Sequence, residues 1–185
     1  MGDVATARAA LEDARPAVRA TALGALARLQ VLTFEDLSRA AADPDGAVRA
    51  RAAELATPFG SRSLPLLIGS LSDREPRVAE SGCFALGEIG AEASPAVPDL
   101  GAVVRDHPDP LCREAAVAAL GAIGAPDGLP AVLSATADKP AVRRRAVLAL
   151  APFSGPEVDA ALERALTDRD WQVRQAAEDL TGRHG

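Results

Sequence analysis

Lysine is almost missing from this chain of 185 residues: Lys139 is its single example, so nearly all the positive charge is arginine. Tyrosine is absent and aromatic residues make up 3% of the chain against 48% hydrophobic, so the core has to be built from alanine, leucine and valine. Cysteine and histidine number two each, which is too few for a disulfide framework or a dedicated metal centre. Cys83 and Cys112 fall at apolar helical positions and read as small buried hydrophobes in a reducing compartment. His107, in the turn His-Pro-Asp-Pro, and His184, near the end, have no second histidine or spaced carboxylate to complete a ligand set. No metal and no cofactor is expected. No apolar run approaches the roughly 18 residues of a membrane span, and no basic stretch followed by an apolar one marks a signal peptide. A cytoplasmic location follows as an expectation, and the arginine preference fits a GC-rich bacterial genome. Met1 to Thr6 matches the loose myristoylation pattern, an accident in a bacterial chain. The formal net charge of −6 and pI near 5.0 oppose generic nucleic-acid binding, which needs clustered basic charge.

What the chain has is a repeat. In the stretch from Asp73 to Gly90, Pro76 suits the first turn of a helix, where a missing N–H costs nothing. Val78, Gly82, Ala85, Leu86 and Ile89 then share one side of that helix, and Gly90 can take the left-handed conformation that ends it. Equivalents of Val78 stand at Val18, Val48, Cys112, Val142 and Val173, so that successive anchors are 30, 30, 34, 30 and 31 residues apart. Four residues on come Ala22, Ala52, Gly82, Ala116, Ala146 and Ala177; eight on come Leu26, Ala56, Leu86, Leu120 and Leu150, with Thr181 breaking the rule. Two before the anchor stand Pro16, Pro76, Pro110 and Pro140, replaced by Gly46 and Trp171. Self-similarity at a fixed period of this length is the mark of a solenoid.

Each copy is expected to be two antiparallel helices. The pattern predicts helices over residues 3–12 and 16–29, then from Thr33, an N-cap with Asp36 three residues on, and over 47–56, where Pro58 and Gly60 stop the helix. Further pairs are predicted over 63–71 and 76–89, from Val97 and from Pro110, over 127–136 and 140–150, and over 156–166 and 171–180. An extended loop over 91–96 absorbs the longer spacing. No alternating strand pattern competes. An Asp closes the first helix of each copy, at Asp13, Asp43, Asp73, Asp106, Asp138 and Asp168; an Arg follows most anchors, at Arg19, Arg49, Arg113, Arg143 and Arg174, with Ala79 as the exception. These charges are expected to cap helices and to form a ladder between adjacent copies rather than to do chemistry. Trp171 is read as a cover for the last copy's exposed edge.

The run Val-Arg-x-x-Ala-x-x-Ala-Leu-Gly-x-Ile-Gly, nearly complete at Val78 to Gly90 and at Cys112 to Gly124, resembles the HEAT repeat, in the short form of phycobilisome-lyase-type proteins and designed α-repeats. The resemblance covers essentially the whole chain; copies two and six depart from it most, at Ala56 and Thr181. It implies an all-α fold: a right-handed α-α superhelix (solenoid) of about six HEAT-like helical hairpins, with residues 1–185 as one domain. It is specific for fold and nearly silent on function. The His-Glu pairs of a HEAT-repeat di-iron hydroxylase are absent, and so are a phosphate-binding glycine loop and a Gly-x-Ser-x-Gly elbow. A non-enzymatic protein is expected.

HEAT-like solenoids bind through the concave face lined by their second helices, and that resemblance places positions −1, +2, +3, +6 and +10 from each anchor on it. These include Thr21, Gly24, Arg28, Arg51, Arg77, Ser81 and Leu148. Phe84, flanked by Glu54, Glu80, Glu88 and Glu114 with Leu111 nearby, is the candidate contact patch; Arg144 and Arg145 are a candidate anion-binding end. The alternative is that Phe84 folds back on a neighbouring helix and the charges are merely solvated. The expected function is a scaffold or adaptor, a monomer binding a protein or peptide and no membrane. Rival readings are a nucleic-acid binder like the HEAT-like DNA glycosylases, and a lyase-like accessory subunit handling a tetrapyrrole.

Overall fold

A computed structural model describes residues 3–182. Met1, Gly2 and His184 lie outside the described residues, and with them the start of the myristoylation match. The chain divides into two compact units, residues 1–86 and 87–185. Among the described residues there is no strand.

The first unit holds α1 (Val4–Ala10), α2 (Pro16–Arg28), α3 (Phe34–Ala41), α4 (Gly46–Glu54), α5 (Leu64–Ser70) and most of α6 (Pro76–Ile89). Within it α2 packs on α4 and α3 on α5, so second helices stack on second helices and first on first. The second unit holds α7 (Val97–Asp106), α8 (Pro110–Ile123), α9 (Leu129–Ala135), α10 (Pro140–Ala149), α11 (Pro156–Ala165) and α12 (Trp171–Thr181). There α7 packs on α9, while α8 packs on α10 and α10 on α12.

The anchor stripe forms both cores. Val48, Val78, Cys112, Val142 and Val173 are all buried, as are Leu26, Ala56, Leu86, Leu120 and Leu150 eight residues on. Val18 alone among the anchors is half-buried, because no hairpin precedes it in the described chain. Proline stands in the first turn of α2, α8, α10 and α11. Gly90 and Gly124 take left-handed φ of 69° and 65° at the ends of α6 and α8, conformations that a side chain resists. Thr33 caps α3 in a full capping box with Asp36 at the third helical position.

Residues 91–96 were expected to be an extended loop, and are not. Gly90–Ala96 forms a 3-10 helix that tolerates Pro95 and buries Ala93 and Ala96 completely. Similar short turns, Thr57–Ser63 and Pro126–Gly128, lead into α5 and α9. The extra residues of the fourth copy are therefore core, not slack.

Candidate partner-binding face

The charges that most resemble a catalytic set are the arginines after each anchor, and the structure makes them structural. In the first unit, Arg19 donates two hydrogen bonds of 2.7 Å to the Asp43 carboxylate and one of 2.9 Å to the carbonyl of Asp13. Arg49 repeats the arrangement, at 2.7 Å twice to Asp73 and 2.9 Å to the carbonyl of Asp43. In the second unit Arg113 reaches Asp138 at 2.7 and 2.8 Å, and Arg143 reaches Asp168 at 2.9 and 2.7 Å. Each bidentate fork ties one hairpin to the next. Hydrogen bonds from these guanidinium groups hold Asp43, Asp73, Asp138 and Asp168 below the usual carboxylate range, against burial that pushes them up. Asp13 receives no fork from an earlier copy; Arg15 binds it instead and lowers it to about 2.

The cap and ladder roles fall on different residues. Asp45, Asp109 and Asp170 are the N-caps, each accepting the N–H two residues on. The ladder carboxylates lie two positions earlier in two of these copies, where Asp43 and Asp168 accept the N–H of Asp45 and Asp170. In the fourth copy that place belongs to His107, not to the expected Asp106. Arg113 binds the His107 carbonyl at 2.8 Å, and His107 Nδ1 accepts the N–H of Asp109 at 3.1 Å. Asp106 faces Arg105 at the surface. His107 is thus a turn residue. Among the described residues no three His, Cys, Asp or Glu side chains are grouped to hold a metal ion.

In the first unit, Phe84 stands on α6 with 55% of its surface exposed, while Glu80 on the same helix is half-buried. Glu54 is not a free acid: Arg51 pairs with it at 2.8 Å and Arg77 approaches to 3.9 Å. Ser81, expected on the open face, is buried, since its position on α6 turns toward the packed side. Gly24 is covered as well, and a Cβ there would lie 2.7 Å from the Arg51 guanidinium.

In the second unit, Leu111 on α8 and Leu148 on α10 are 57% and 38% exposed. Between them lies a charge cluster: Arg145 contacts Glu114 Oε1 at 3.4 Å and Arg144 approaches the same oxygen at 3.9 Å. Arg144 and Arg145 are therefore not set apart as a separate end; they cross from α10 to a carboxylate on α8. The Nε of each is shielded from solvent and has no hydrogen-bond partner. Glu88 is exposed at the end of α6. The pairing of Glu54 with Arg51 was legible as an i, i+3 contact on one helix. The Glu114 cluster was not, because it joins two copies through positions that do not repeat. Trp171, read from the sequence as an edge cover, is 64% exposed.

Residues 34–116 and 97–180 match the model of HEAT repeats. The chain belongs to the HEAT-repeat family. A search of curated protein sequences finds no match. Among solved structures, this HEAT chain is similar to an engineered protein (20% identity, TM-score 0.71, covering 99% of this chain and 98% of that one). It is also similar to the complex of CpcE and CpcF of phycocyanin lyase from Nostoc sp. PCC7120 (22% identity, TM-score 0.66, 98% and 77% covered). A designed armadillo repeat protein gives 15% identity and a TM-score of 0.67, with 98% and 99% covered. At these identities the likeness shows the fold, an all-α superhelix of tandem repeats. No helix among the described residues is long and apolar enough to cross a membrane.

Proposed function

We propose that this HEAT-repeat chain is a non-catalytic scaffold, residues 1–185 acting as one repeat array, that binds a protein or peptide segment through its second helices. One observation carries the reading. The exposed large apolar side chains fall on second helices: Phe84 on α6, Leu111 on α8, Leu148 on α10, and Trp171 and Leu180 on α12. Leu29 follows the end of α2, and among the described residues Val4 is the single case on a first helix. Apolar groups left in water on second helices, rimmed by charge, fit a protein partner. The charges that a catalytic reading would use are engaged in ladder and capping bonds. The solved neighbour from Nostoc is itself a complex of two proteins, which supports a protein partner.

Photo-crosslinking tests this directly. A benzoylphenylalanine at position 84 or 111 is expected to form discrete protein adducts in a lysate, and the same group at Ser38 or Ser134, exposed on first helices, is expected to form none. Equal adducts at all four positions, or none at any, rule the reading out.

A further inference from the structure

We propose that the face shared by α8 and α10 selects a partner segment in which a carboxylate lies beside a branched apolar side chain. The inference rests on the scaffold reading above and names its partner class.

The residues converge by helical spacing and by contact. Leu111 lies three positions before Glu114 on α8, and Leu148 lies four after Arg144 and three after Arg145 on α10, so each leucine shares its helix face with the charges. Helices α8 and α10 pack side by side, and Glu114 receives both arginines on one oxygen. Two guanidinium groups therefore share one carboxylate, and the cluster keeps one net positive charge. Its contacts are long: 3.4 and 3.9 Å here, against 2.7–2.9 Å for the ladder forks of Arg113 and Arg143. Both Nε donors have no acceptor, although they are shielded from water. The Nε atoms are closed off, but the Nη groups, held only by these long contacts, keep donor capacity that an incoming carboxylate can take up.

The neighbouring acids do not cancel this charge. Among the described residues the only carboxylate paired with Arg144 or Arg145 is Glu114, and Asp168 and Asp138 are held in the ladder. Arg144 and Arg145 are each 37% exposed, open enough for a partner to reach while their stems stay packed. Leu111 and Leu148 are the apolar floor at either side. A basic segment meets repulsion at this cluster, and an apolar segment without charge leaves the spare Nη donors unmatched. The complementary ligand is an acidic, leucine-rich stretch.

Fluorescence anisotropy on the full chain reads this out, using labelled twelve-residue peptides in which Leu alternates with Asp or Glu, and twins with Asn and Gln in place of the acids. The acidic peptides are expected to bind about tenfold tighter than their amide twins and to weaken as salt rises. Arg144→Gln/Arg145→Gln is expected to remove the preference, and Glu114→Gln to keep or strengthen it by freeing both arginines. Equal binding of acid and amide twins, weakening by Glu114→Gln, or no binding by either peptide overturns the proposal. If any of these three failures comes with adducts at position 111 but none at Ser134, the scaffold reading stands and only the acidic partner is lost.

Discussion

Arg143 illustrates what one residue does for a whole copy. Its side chain is 6% exposed and its fork closes on Asp168, which is 16% exposed, so truncation strands a carboxylate in a poorly solvated place. Arg143→Ala is expected to cost roughly 2–4 kcal/mol in urea denaturation. Arg105→Ala, at a surface pair 68% exposed, is expected to stay within about 0.5 kcal/mol. The same ladder sets a pH dependence. Asp43, Asp73, Asp138 and Asp168 have folded pKa values below the unfolded value of about 3.9, so their contribution is complete above that value and is lost as pH falls through the folded ones. The urea midpoint should therefore change little from neutral pH down to about 5 and drop below about 4, with a shallower drop in Arg143→Ala. The ladder was legible in the sequence because Asp and Arg recur at fixed offsets. Its exception was misread at Asp106, because a histidine Nδ1 can take the turn N–H that carboxylates take elsewhere, and a search for Asp stops one residue short of His107.

At the scale of the helix, the burial stripe decides. Leu86 is fully buried, and Leu86→Ala should cost roughly 2–5 kcal/mol by leaving a cavity. Glu80→Ala on the same helix should change stability by no more than about 0.5 kcal/mol. Thermal or urea unfolding of the pair compares the two faces of α6. Two glycines make a second comparison. A Cβ on Gly121 would stand 2.8 Å from both Cα and Cβ of Ala149, so Gly121→Ala must push α8 off α10 and is expected to destabilise by about 1–3 kcal/mol. A Cβ on Gly101 meets only Ala131, at an ordinary 3.7 Å, so Gly101→Ala should stabilise α7 by up to about 1 kcal/mol. Helix positions and the inward stripe could be read from spacing alone. The 3-10 turns could not, because Pro58, Pro95 and Pro126 look like breakers until tertiary packing buries Ala93, Ala96 and Gly128.

At the scale of the molecule, what repeats is the core and what varies is the face. Six positions beyond the anchor stand Gly24, Glu54, Phe84, Ala118, Leu148 and Asp179, six different residues at one structural offset. Periodicity therefore reveals the fold family and says little about the partner, whose chemistry has to be read from exposure and pairing. Helical offsets already marked Leu111, Glu114, Arg144, Arg145 and Leu148 as candidates, but which of them stay in water, and that both arginines share the Glu114 carboxylate, is visible only in the structure. The most direct measurement is selection of a random peptide library on the wild-type chain and on Leu111→Gln/Leu148→Gln, both checked as folded by circular dichroism. The wild type should enrich a recurrent acidic, leucine-containing sequence that the double variant fails to enrich. Enrichment of the same sequences by both chains, or of none by either, would contradict a second-helix face built to hold a protein segment.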